Sequence, residues 1–286
     1  MGITDIPPEG TPTWVIPLST ALLGGGVGGW LLAYILMVRR SLATKATPVP
    51  FIPLGLNLAW ELVFAFYVTE TWLEFTGFLS WLLLDIPVLY ATLSTARNSF
   101  AASPLVARNA GRLMAGVVGF GVVCYLYFIR WWLEEEHRGY GVKWGKSWYG
   151  HQARDTTELA YWTAGFAQVA FSVGALAMLL QRGHSGGQSY GICVLSYFRS
   201  MPSESQEEAG CARCLPTPSL LLWWVWPEAH GYVWQPLSVI MIATGLLCDI
   251  AYPFLLAHVR STEQILPDGT IVAGGALSPK TGKKRV

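Results

Sequence analysis

The sequence predicts an all-α, polytopic membrane protein: a bundle of seven transmembrane helices with an interrupted sixth. Three observations lead there. Of 286 residues, 52% are hydrophobic and 13% charged, against about 25% charged in an ordinary soluble domain. Six apolar runs are each long enough to cross about 30 Å of hydrocarbon at roughly 20 residues per crossing. Lys and Arg also alternate between successive connections, as they do when cytoplasmic loops carry the excess. A mean hydropathy of +0.39 agrees with these patterns and excludes a soluble single-domain enzyme. The net charge of +1 and the unclustered Lys and Arg give no surface for nucleic acid. Five Cys, an odd number scattered through apolar runs, do not make a disulfide framework.

The first five spans fall at about 14–38, 51–69, 75–95, 112–132 and 157–181, and another at 234–258. The first has no basic segment before it and outruns a signal-peptide core, so it is expected to stay as an anchor. Between the fifth and the last lie two half-spans, 189–198 and 217–226, of about 10 residues and 15 Å each. They flank a polar stretch at 199–216. Positive charge decides whether this region crosses. Residues 1–13 carry no Lys or Arg, the next connection carries Arg39, Arg40 and Lys45, the third segment 70–74 carries none, and the next carries Arg97 and Arg108. In 133–156 the basic residues Arg138, Lys143, Lys146 and Arg154 are offset by Glu134, Glu135, Glu136 and Asp155, which leaves that connection ambiguous. The C-terminal tail is basic. An outside N-terminus with a cytoplasmic tail needs an odd number of crossings, so the interrupted region crosses once. The expected organisation is a membrane domain over 1–260, a polar insert at 199–216, and a disordered cytoplasmic tail at 261–286 rich in Gly, Pro and Lys.

Three acids sit inside spans: Glu61, Asp85 and Asp249. An ionisable group there costs about 2.5–3.5 kcal/mol on insertion scales and marks a functional site. Counting about 1.5 Å per residue from the cytoplasmic ends puts all three at about 12–15 Å, in one layer near the midplane. Desolvation there disfavours the charged form, so such a carboxyl holds its proton at neutral pH. That is what general acid catalysis on a lipid-soluble substrate requires. The same residues would also serve as neutral hydrogen-bonding links between helices. Asn57, one turn before Glu61, lies on the same face and is placed to orient it. Tyr252 stands three residues after Asp249. Trp60, Phe64, Tyr67, Trp81, Tyr161 and Trp162 offer π faces to a developing cation, or simply pack. The five His do not pair at metal-ligand spacing, and Cys211 and Cys214 make one isolated pair, so no metal or other cofactor is expected.

Asn57-Leu-Ala-Trp60-Glu61, Trp81-Leu-Leu-Leu-Asp85, Gly187-Gln-Ser189-Tyr190, Trp223-Trp224-Val-Trp226-Pro227-Glu228-Ala-His230 and Asp249-Ile-Ala-Tyr252-Pro253 together resemble the small integral-membrane terpene cyclases of fungal meroterpenoid and indole-diterpene pathways. The resemblance covers about 14–260. It implies a cyclase that protonates the terminal epoxide of a prenylated substrate and guides a polyene cascade to fused rings, with Glu61 and Asp249 as the essential acids. It further implies an endoplasmic reticulum location with a lumenal N-terminus, and an epoxidase and a prenyltransferase upstream. The lipophilic epoxidised prenyl chain and membrane lipid would be its partners. The aspartate-rich DDxxD and DxDD strings of soluble terpene cyclases do not occur. Against the family pattern, the sixth helix is broken by Ser200–Pro216, either as a genuine loop or as a retained intron, which leaves the match of Arg199 unsettled. Two other readings stay open. One is an epoxide hydrolase or ether-forming cyclase acting on a non-terpenoid polyene; the other is a non-catalytic seven-helix receptor or transporter. The chain lacks inverted-repeat signs and a Lys in its last span, which disfavours the latter.

Overall fold

The computed structural model describes residues 7, 9–190, 192 and 222–274, with the backbone alone over 23–31. The interior of the expected sixth crossing at 193–221, with the insert at 199–216, and the tail beyond 274 lie outside the described residues.

The described chain is mainly helical. Helix α1 (Val15–Thr44) ends at Lys45, whose left-handed backbone (φ 53°) turns the chain out of the helix. After Pro48 and Pro50, helix α2 (Phe51–Val63) runs into a π-helical turn at Phe64–Val68, where Thr69 N–H reaches back to the carbonyl of Phe64. Such turns insert one residue and rotate the side chains beyond them. Helix α3 (Trp72–Ser99) opens on a capping box, with Thr71 Oγ1 accepting from Glu74 N–H and Glu74 Oε2 accepting from Thr71 N–H. Helix α4 (Pro104–Glu134) begins with Pro at its first position and kinks at Asn109 (φ −113°, ψ 16°). Asp155 caps α5 (Thr156–Arg182), and Gly183 (φ 62°) closes it. Helix α6 (Pro236–Thr262) follows a short 3-10 turn at Gly231–Trp234. Helices α1 to α6 follow the first five expected spans and the last, and several overrun them by up to eight residues.

Among the described residues, five helical segments, Phe51–Val68 and helices α3 to α6, are long and apolar enough to cross a membrane. More than half of the α2 segment is buried, against 17–28% of the others. Helix α2 is therefore the centre of the bundle, and the outer helices present Phe120, Leu247 and Phe254, all more than two-thirds exposed, to lipid. Close approach of α2 to α4 depends on Gly121, where a Cβ would stand 2.7 Å from that of Ala59.

Helices α5 and α6 run parallel. Near their N-terminal ends Tyr161 bonds Ser238 and Gly165 faces Met241; near their C-terminal ends Ala175 and Leu179 pack with Tyr252 and Leu256. The residues between them begin at one end of α5, where Gly187 N–H donates to Thr44, and resume at the other, where Trp223 meets Tyr161.

At that second end a cap covers the bundle. A two-stranded hairpin, β1 (Ser147–Trp148) and β2 (His151–Gln152), is anchored by Trp148 Nε1 donating to the Val68 carbonyl at 3.0 Å. The tail departs from the expectation of disorder beginning at residue 261. Helix α6 continues to Thr262, and β3 (Gln264–Ile265) pairs with β4 (Ile271–Val272) around the turn Pro267-Asp268-Gly269-Thr270. Composition misses this because the turn is local: Asp268 Oδ1 accepts from Thr270 N–H, Gly269 takes φ +83°, and Asp268 pairs with Lys45 at 2.8 Å.

Candidate active site

Helix periodicity places Asn57 and Glu61 on one face of α2, four residues apart. Asn57 Nδ2 donates to Glu61 Oε1 at 2.8 Å and, with its other hydrogen, to Asp85 Oδ2 of α3 at 2.8 Å. Glu61 and Asp85 are each 1% exposed. Their carboxyls lie within hydrogen-bond reach of each other. The amide that bonds Glu61 thus also gathers the second acid. The Asp85 carboxyl turns toward Asn57 of α2 and Tyr34 of α1. Glu61 Oε2 is buried and accepts from no donor among the described residues.

Sequence reasoning missed one member of this group. Tyr34 of α1 brings its hydroxyl to Asp85, and the Trp81 indole brings its N–H to Tyr34. No signal in the sequence singles it out, because Tyr34 lies four residues from the end of the expected 14–38 span, where an interfacial tyrosine is ordinary. The polar line therefore runs Trp81, Tyr34, Asp85, Asn57, Glu61 across α1, α3 and α2. Trp60, beside Glu61, donates through Nε1 to Thr163 of α5 at 2.9 Å and stacks on Phe64 and Phe78. That places an aromatic wall next to the carboxyl pair. Gln168 and Ser172 add polar groups to the middle of α5, which sequence reading also passed over.

Asp249 and Tyr252 share the buried face of α6, each 3% exposed. Their neighbourhood is the α5–α6 seam, where Tyr252 packs with Ala175, Leu179 and Leu256. Two expected aromatics lie elsewhere. Tyr67 is 36% exposed and stacks on Trp148 at the cap, and Trp162 donates to Glu158 Oε1 at 3.1 Å. Six residues after Glu61, Tyr67 lies off the face that holds the carboxyl.

The cap has its own buried ionic core. Glu158, fully buried, accepts from the backbone N–H groups of Tyr140 and Gly141, from Trp162 and from Lys143 at 3.3 Å. Asp155 pairs with Lys143 at 3.2 Å and Lys146 at 3.0 Å. Burial pushes the Asp155 carboxyl up, but Lys146, Lys143 and the Glu158 N–H outweigh it and hold it below the usual range. Burial and the nearby Asp155 and Glu158 carboxylates push the Tyr232 phenol up, so it remains a donor. These lysines are the ones that made the fourth connection ambiguous, and they are neutralised inside the fold. No group of three or more His, Cys, Asp or Glu among the described residues is placed to hold a metal.

A family model described as Pyr4-like transmembrane terpene cyclases matches residues 3–262. The chain belongs to this family. Among relatives of the Pyr4-like cyclases, it is 32% identical to the terpene cyclase ascF of Acremonium egyptiacum over 285 residues, 97% of each chain. It is 29% identical to the terpene cyclase dpchB of Colletotrichum higginsianum over 93% of this chain and 97% of that one. To the Pyr4-family terpene cyclase mfmH of Annulohypoxylon moriforme it is 23% identical, over 82% and 84%. No solved structure matches. The chain is thus an integral-membrane protein of a terpene cyclase family, with five described helical segments long and apolar enough to span.

Proposed function

We propose that this cyclase protonates the epoxide of a prenylated, meroterpenoid-type substrate and directs polyene cyclisation, with Glu61 and Asp249 as its essential acids. The observation that carries the reading is Glu61 itself: fully buried, fixed through Oε1 by Asn57, with Oε2 open for a proton. Protonation is the demanding step, because an epoxide is a weak base. As Glu61 Oε2–H gives its proton to the epoxide oxygen, the C–O bond breaks and the neighbouring alkene supplies the electron pair that closes the first ring. Each later ring forms the same way, and loss of a proton from the last cation makes the reaction an isomerisation. A donor positioned for this contributes about 10²–10⁴-fold. Asn57, Asp85, Tyr252, Trp60 and Trp81 support the site, Trp60 as a cation-tolerant wall, and Tyr67 and Trp162 brace the cap above it.

Helix direction supports including Asp249 with Glu61 in this reading. On α5 as a ruler, Trp60 meets Thr163 and Met241 meets Gly165. Helices α2 and α6 run oppositely, and side chains lean toward the N-terminus of their own helix, so the Glu61 and Asp249 carboxyls lean toward a common level.

The proposed topology is seven crossings. The parallel run of α5 and α6 supports one further crossing between them. Arg39, Arg40, Lys45, Arg97, Arg108, Arg112, Arg182 and Arg260 gather at the face opposite the cap, while Lys143 and Lys146 are consumed by internal pairs. By the positive-inside rule that face is cytoplasmic and the N-terminus lumenal. The membrane domain ends near residue 260, and the endoplasmic reticulum is the compartment that fits its family. The reaction uses acid catalysis without metal or cofactor, and the substrate arrives from a prenyltransferase and an epoxidase.

The test uses microsomes carrying wild-type, Glu61→Gln or Asp249→Asn protein, supplied with a farnesyl-epoxide precursor and analysed by chromatography with mass spectrometry. A product of unchanged mass and new retention, absent from both variants at equal expression, supports the proposal. A product heavier by one water indicates an epoxide hydrolase. Turnover retained in Glu61→Gln overturns the acid assignment.

A further inference from the structure

The buried carboxyl pair poses a question that the two essential acids do not answer. Two carboxyls in hydrogen-bond reach of each other inside a membrane bundle cannot both ionise, and they share one proton. The hydrogen bonds around them decide which keeps it. Asp85 receives two donors, Asn57 Nδ2 and the Tyr34 hydroxyl. Glu61 receives a single donor, Asn57, and only on Oε1. Hydrogen bonds to a charged form favour that form, and each donor a carboxylate collects counts toward it. The Trp81 indole, donating to the Tyr34 oxygen, fixes the phenol so that its own hydrogen points at Asp85.

We propose that Tyr34 is a positioning residue: with Asn57 it holds Asp85 as the ionised partner of the pair and so leaves the proton on Glu61 Oε2, where a substrate can take it. This rests on Glu61 being the catalytic acid. The arrangement stores a proton beside a fixed negative charge, and that charge stabilises the cation as it forms on the substrate. On donation, Glu61 Oε2–H breaks and the proton moves to the substrate oxygen; the second negative charge this leaves on the pair, disfavoured in the resting protein, is offset by the new cation that faces it. Reprotonation of Glu61 restores the resting state.

Infrared spectroscopy reads the proton directly, without substrate. In purified wild-type protein at neutral pH, carboxyl-labelled [13C]glutamate shifts a protonated-carboxyl carbonyl band, and Glu61→Gln removes that band. In Tyr34→Phe the glutamate acid band weakens, and a band sensitive to [13C]aspartate grows. In turnover, Tyr34→Phe lowers kcat about tenfold or more, as expected for loss of one hydrogen bond to a charged group, while KM stays within about twofold. A melting temperature equal to wild type separates this from a folding defect. The proposal is overturned if labelled glutamate shifts no acid band in the wild type, a result that needs no variant to fold, or if Tyr34→Phe leaves the glutamate band and kcat unchanged. Should the bands behave as stated while the wild type makes no cyclic product, the function fails and the proton assignment stands.

Discussion

Glu158 is where the cap is held to the membrane bundle, and removing its charge has a calculable consequence. The carboxylate is fully buried and accepts from Tyr140 N–H at 2.9 Å, Gly141 N–H at 3.1 Å, Trp162 Nε1 at 3.1 Å and Lys143 Nζ at 3.3 Å. Glu158→Ala leaves Lys143 with Asp155 as its remaining recorded partner and three neutral donors without an acceptor. Breaking a buried ion pair from one side costs about 3–5 kcal/mol. Each stranded buried donor adds about 1–3 kcal/mol where water does not reach it. These terms overlap, so the expected loss is about 4 kcal/mol or more. At about 2–4 °C per kcal/mol for a chain of this size class, the detergent-solubilised protein melts about 8–16 °C lower. The assay is thermal denaturation followed by size-exclusion chromatography. The companion variant Glu158→Gln keeps an acceptor oxygen and loses only the charge, so it falls between the two. A Glu158→Ala protein melting within about 2 °C of wild type would show that water satisfies the cluster and would refute the burial argument.

Further outcomes follow from the same geometry. Glu61→Gln keeps an oxygen for Asn57, so it should lower kcat by about 10²–10⁴ while leaving the melting temperature nearly unchanged; steady-state turnover and a melt on one preparation check both. Gly121→Ala forces a methyl to 2.7 Å from Ala59 Cβ, on two helix backbones that cannot rotate it away, and should cost about 1–3 kcal/mol. Gly119→Ala, with open space around its Cβ, should be neutral in the same melt. Asp155 is held below its ordinary range, so its stabilisation is present above the unfolded value of about 4 and disappears as pH falls through the folded one. Melting temperatures should therefore drop at acid pH, and Asp155→Asn should flatten that limb.

The membrane class was legible because hydrocarbon imposes its requirement one helix at a time: a run of apolar residues must be long enough, whatever lies beside it. Span limits came within eight residues for the same reason. Asn57 beside Glu61 was readable as well, since four residues on a helix bring side chains together without help from any other element. The partnership of Asn57 with Asp85 was not, because it joins residues 28 apart on two helices and depends on how α2 and α3 rotate against each other. Tyr34 was invisible for the same reason. The charges of the fourth connection misled a count of loop residues, because a count cannot distinguish a solvated Lys from Lys143 and Lys146, whose side chains are 7% and 6% exposed in contact with buried acids. Residues 264–272 were taken with a tail rich in Gly, Pro and Lys, yet a Pro-Asp-Gly-Thr turn and a pair with Lys45 organise them.

By itself, then, the sequence determined that this chain lives in a membrane and which apolar runs are long enough to cross it, since each of these depends on transfer out of water along a single segment. Only the tertiary structure decided that Glu61 and Asp85 form one pair, that one amide and one phenol distinguish them, and that the basic residues of the cap are internal. Those are properties of contact between helices, and the bilayer, equally apolar on every side, gives a lone helix no instruction about which neighbour its polar face will meet.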